Sequence, residues 1–173
     1  MVMGQSVSNF DFLDRLDGEL ANLGRLAESY FQDDPSTSLI KLRQFAERLS
    51  RRHAALVGVD LQPDDTQSDI LRRLKYERAV PDRVLDVLHH IRKLGNTAVH
   101  ESGGDHREAL ACLKMSVQLG VWHIRTSTAD RDFSVGSFIP PRSPANPTQE
   151  LQDELSRLRS ERDAALTVAQ KAE

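Results

Sequence analysis

Only one cysteine, Cys112, occurs in the 173 residues, so an intrachain disulfide and a thiolate-based zinc site are both excluded. That usage fits a reducing cytoplasm. Aromatic residues are 5% of the chain, and the apolar residues are mostly Leu, Ala and Val, a bias that favours helix over a β-sandwich or barrel. No run of about 18 apolar residues is present to span a membrane. Residues Met1 to Phe12 carry neither a basic nor an apolar signal region, so no secretory leader is expected. A Gly-rich phosphate loop, β–α alternation, an internal repeat and a Ser-nucleophile motif are all missing.

What is present is charge, at 28% of residues, unevenly spread. Residues 1–37 hold 2 basic and 7 acidic residues, 38–131 hold 16 and 12, and 132–173 hold 5 and 7. The middle segment alone is basic. It presents either a solvated surface of mixed sign or a face for an acidic partner or a nucleic-acid backbone.

Apolar spacing draws five helices. The first is expected over 9–31, from Leu13, Leu16, Leu20, Leu23 and Ala27, with Ser8 or Asn9 as its cap. The second runs over 36–57 and stops at Gly58. A short third covers 68–78. The fourth opens at Pro81, carries Val84, Leu85, Leu88 and Ile91, and is expected to be interrupted at Gly95. The fifth spans 105–127 and contains Cys112 as a small core residue and Trp122 as a core or groove residue. The expected organisation is all-α: a bundle over 8–130, a Pro-rich linker over 131–148, and the start of a coiled-coil helix over 149–173. The heptad seam there is Leu151, Leu155, Leu158, Arg162, Ala165 and Ala169. A lone solvated helix is the alternative. A pattern still running at Glu173 is the pattern of a chain cut from a longer one.

The densest polar cluster runs from His89 to Glu101. Arg92, Asn96 and His100 are spaced by four and share one face if the helix continues through Gly95; a break there makes Asn96 a cap or turn residue. Arg to steady a pentacoordinate phosphate and His as general acid or base would suit metal-independent RNA cleavage. No metal site is expected, because His89, His90, His100 and His106 lack ligand spacing and adjacent histidines point about 100° apart on a helix. Lys41, Arg48, Arg51, Arg52, Arg72, Arg73 and Lys75 are the candidate nucleic-acid contacts.

Ser8–Leu13, Asp33–Glu47, Ile91–Glu101 and Val121–Arg125, followed by Asp132-Phe133 and Phe138-Ile-Pro-Pro141, together resemble the N-terminal region of type I restriction enzyme R subunits. The resemblance implies a helical, HEPN-like module ahead of a coiled coil, a nuclease domain and an ATP-driven DNA translocase. It implies other restriction-modification subunits as partners, or self-association through the C-terminal helix, with DNA as a further candidate and no membrane. ATP and Mg belong to the motor and nuclease domains, whose motifs these residues lack, so no cofactor is expected here. HEPN ribonucleases place fewer residues between their Arg and His than the seven separating Arg92 from His100, while Lys93, with six residues between it and His100, is not an Arg. Three functions follow as expectations: a non-catalytic assembly module, a HEPN-type endoribonuclease using Arg92 and His100, and a nucleic-acid-backbone binder.

Overall fold

Three aspartates and a threonine set where four of the helices begin. The computed structural model describes residues 7–100, 104–141 and 155–162. Among them all regular structure is helical. A 3₁₀ turn over Asp11–Leu13 precedes α1 (Gly18–Tyr30), α2 (Pro35–Val57), α3 (Gln67–Tyr76), α4 (Asp82–His100) and α5 (His106–Ser127). Asp17, Asp34, Thr66 and Asp105 each accept from free backbone N–H groups of the first turn of α1, α2, α3 and α5. At α3 the Asp69 carboxylate also bonds back to the Thr66 N–H, completing a capping box. Gly58, at φ 76°, closes α2 in the left-handed conformation that glycine adopts without strain.

The single helix expected over 9–31 is two elements. Its apolar spacing persists, but Asp17 intervenes. The Asp17 side chain caps the Glu19 and Leu20 amides at 3.1 Å and is clasped by Arg48 of α2, Nε to Oδ2 at 2.9 Å and Nη2 to Oδ1 at 3.0 Å. Burial alone would raise the Asp17 carboxyl, but Arg48 and those two amides hold it below the ordinary carboxylate range. Neither Ser8 nor Asn9 caps α1, although the Ser8 hydroxyl accepts from the Phe10 N–H ahead of the 3₁₀ turn. Both bind the Glu28 carboxylate one layer away, which folds the 3₁₀ turn back over α1.

α2 is the central element and packs on α1, α3, α4 and α5. Its inner face supplies Leu39, Leu42, Phe45, Ala46 and Leu49, all at most 2% exposed. The Phe10 ring meets Phe45 edge-on at 5.4 Å and seats in a notch left by Gly24 of α1. Cys112 is buried in α5 as a core residue, its thiol pushed up to about 12 by burial and the nearby Glu108 carboxylate.

After α5 the chain returns over the bundle without forming a strand. Phe133 packs on Phe12, Asn9 and Ile139 exchange two hydrogen bonds, and the Gln32 side chain donates to the Pro141 carbonyl. These contacts fix residues 133–141 as one wall of the surface described later. Residues 142–173 form a separate unit. Within it 155–162 are helical, with Leu155 and Leu158 about half exposed and Arg157 facing Glu161 one turn on. The rest of the expected heptad seam, including Leu151, Ala165 and Ala169, lies outside the described residues.

Candidate functional site on α4

α4 does not break at Gly95. The missing side chain is a packing device. A Cβ there would lie 2.5 Å from the Cβ of Arg43 on α2, so glycine lets the two helices meet. Asn96 therefore caps nothing and lies mid-helix. The continuous helix puts His89, Arg92, Asn96 and His100 on one flank of the buried seam Val84–Leu88–Ile91–Gly95. Arg92 and Asn96 are half-buried, and His100 is exposed at the last turn.

Arg92 and Asn96 stand about 6 Å apart along the axis, as do Asn96 and His100, so Arg92 and His100 are about 12 Å apart. A phosphate held by Arg92 is thus adjacent to Asn96, while His100 lies a further turn away. The flank is electropositive. Burial, followed by Arg92 and Lys93, lowers the His89 pKa from its ordinary value, with Asp86 opposing. The Nε atoms of Arg92 and of Arg43 are buried without a hydrogen-bond partner, and among the described residues neither guanidinium is paired with a carboxylate. The one carboxylate a turn from Arg43, Glu47, is turned to Arg51 instead. Arg43 was not among the residues singled out above. Its signal in sequence is only that it sits beside the apolar line of α2.

The structure pairs most of the seven basic candidates with acids. Arg48 bonds Asp17 and Glu19, Arg52 approaches Asp17 at 3.7 Å, and Arg51 reaches Glu47 and donates to the Asp65 carbonyl. Arg72 pairs with Asp69 and Arg73 with Asp65. Lys41 donates to Gln44, and the Lys75 charge contributes to lowering the His89 pKa. Five arginines thus share their surface with carboxylates, Arg48, Arg51 and Arg52 around one hollow that Asp17, Glu19 and Glu47 also line. His106 holds the end of α1, with its Nε2 at 2.8 Å from the Gln32 carbonyl and its ring edge-on to Phe31. No group of three or more metal-ligating side chains converges among the described residues. None of the helices there is long and apolar enough to cross a membrane.

A second polar group is internal. His53 of α2 and His123 of α5 are 3% and 0% exposed, with ring centroids 5.6 Å apart, and Trp122 lies 4.6 Å from His53. His53 Nε2 donates to the Ala79 carbonyl, whereas both His123 nitrogens lack a partner. His53 belongs to the apolar line of α2. The corresponding signal for His123 is its place in the α5 sequence three residues after the buried Gly120 and seven after the buried Ser116.

Residues 25–126 match the family described as a domain of unknown function (DUF4145), and the chain belongs to that family. The chain is also similar to the N-terminal part of the type I restriction enzyme EcoKI endonuclease subunit of Escherichia coli (strain K12). The identity is 38% over 139 residues, which is 80% of this chain and 12% of that subunit. No solved structure matches the chain.

Proposed function

We propose that this chain is an accessory, assembly module of a type I restriction endonuclease subunit. The similarity to the N-terminal part of such a subunit carries this proposal. The parent activity would be ATP-dependent DNA translocation and cleavage. The motifs for a motor and a nuclease are missing from these residues, which leaves this module a role in holding the subunit to its modification and specificity partners.

The geometry of α4 supports a non-catalytic module. General acid–base chemistry on a phosphodiester needs its groups within hydrogen-bond reach of the same reacting atoms. Arg92 and His100 on one helix are about 12 Å apart along its axis. A second proposal, nucleic-acid backbone binding, is supported at Arg43 and Arg92, whose guanidiniums have no carboxylate partner among the described residues, better than at the paired arginines of α2 and α3.

The test is turnover. Purified chain incubated with single-stranded RNA in EDTA, with duplex DNA and Mg, and with ATP is expected to release no product above a buffer control. RNA cleavage in EDTA that vanishes in both Arg92→Ala and His100→Ala would replace this proposal with the endoribonuclease.

A further inference from the structure

We propose that the groove between α5, the start of α4 and residues 135–138 is a docking site for an acidic amphipathic helix of a partner protein. The groove has a volume of about 620 Å³. Its floor is α5, where Met115, Val121 and Trp122 face the opening. Val84 and Val87 of α4 form one wall, and Val135 and Phe138 form the other. Trp122 is only partly buried, so the sole tryptophan of the chain presents part of its ring here.

The rim selects the occupant. Lys114, Arg125 and Arg83 line the groove, and no carboxylate does. Among the described residues none of the three is paired with an acid. Lys114 lies 5.8 Å over the Phe138 ring, and Arg125 donates its Nε to the Phe133 carbonyl, with no hydrogen bond from its terminal nitrogens among the described residues. Arg48, Arg51 and Arg73, by contrast, are matched to carboxylates. Three unmatched cations around an apolar floor call for an occupant that brings apolar side chains and negative charge together.

Length argues for a helix. Lys114, Gln118, Trp122 and Arg125 form a stripe along α5, and from Lys114 to Arg125 the rise is about 16 Å, or about three helical turns. A partner helix with apolar residues at i, i+4 and i+7 and acids on its flanks would cover that stripe. Arg83 and Val87 lie on the opposite side of the α4 seam from Arg92 and Asn96, so this surface is separate from the α4 polar flank.

Trp122 supplies the readout. The probe is a synthetic helical peptide with Leu at i, i+4 and i+7 and Glu on both flanks, titrated into the full chain while tryptophan fluorescence is followed. A saturating change is expected that weakens with added salt. It should weaken about tenfold or more in Arg83→Glu/Lys114→Glu, whose two cations donate no hydrogen bond among the described residues. Circular dichroism checks the fold of that variant, and Arg83→Gln/Lys114→Gln replaces it if charge reversal unfolds the chain. Peptides with Lys for Glu, or Ala for Leu, should leave the fluorescence unchanged. The proposal is overturned by no response to the acidic peptide, by equal binding of the Lys peptide, or by undiminished binding in the folded double variant. Sodium laurate saturating the signal while the acidic peptide fails to compete would make the groove a lipid site and equally overturn it. The experiment involves no restriction subunit, so its failure leaves the assembly role untouched.

Discussion

Acidification from pH 7 to pH 4 is expected to remove on the order of 3 kcal/mol of folding stability through His123 alone. The His123 ring is fully buried, and both its nitrogens lack a partner. Burial, reinforced by His53 and Arg52 and only partly opposed by Asp17, lowers its pKa to about 4. The folded state therefore favours the neutral ring, whereas the unfolded chain takes up a proton near pH 6.5. The stabilisation is fully present above that value and is lost as pH falls from about 6.5 to about 4. His53 is shifted in the same direction, by burial against its bond to the Ala79 carbonyl, and adds to the loss. The carboxylates that sit below their ordinary range, Asp14, Asp17, Asp34 and Asp69, lose most of their contribution below pH 4 and add only a little at the acid end of this window. Urea unfolding followed by Trp122 fluorescence at pH 7, 5.5 and 4.5 measures the effect. His123→Leu, an apolar side chain of similar volume, should flatten the pH dependence without abolishing folding at pH 7.

Phe10→Ala should cost about 3–5 kcal/mol, the usual range for deleting a buried aromatic ring. The ring is fully buried, packs edge-on against Phe45 and fills the notch at Gly24. Gly24→Ala attacks the same contact from the other side. Its methyl group would fall within the Phe10 ring, a rigid group with no room to swing away, so about 1–3 kcal/mol of overpacking is expected despite the better helix propensity of alanine. The combination decides the mechanism. In Phe10→Ala/Gly24→Ala the new methyl occupies part of the vacated space, so the double variant should be more stable than the sum of the two losses predicts. Additive losses in urea melts would show that Phe10 is not seated against α1 as described.

This same corner shows what a sequence conceals. The spacing from Leu13 to Ala27 is that of one amphipathic helix, and periodicity reports which residues face the core. It does not report whether the backbone runs on. Asp17 ends that run because a partner far along the chain, Arg48, anchors its carboxylate against two free amides. Gly95 misled in the opposite direction. Glycine was expected to stop α4 from its local propensity, but the need for space against Arg43 keeps it inside the helix. The stop at Gly58 was legible because its cause is the glycine itself, whereas the capping box of Thr66 with Asp69 that opens α3 at Gln67 was not read and the helix was expected from 68. The α4 flank was legible in the same way, since Arg92, Asn96 and His100 are four apart. The pairing of Arg48, Arg51, Arg72 and Arg73 was not, because charge composition names cations without naming the acids that meet them. Arg43 and the groove around Trp122 depend on which helices touch, and only the assembled bundle brings those surfaces together.

The proposed assembly role is tested most directly by sedimentation velocity of the folded chain mixed with the methyltransferase and specificity subunits of the type I restriction system proposed for it. A faster-sedimenting species containing this chain, growing with its concentration until saturated, is expected. Sedimentation of the chain entirely at its own rate, at every concentration and with its helical signal intact, would contradict an assembly role for this module.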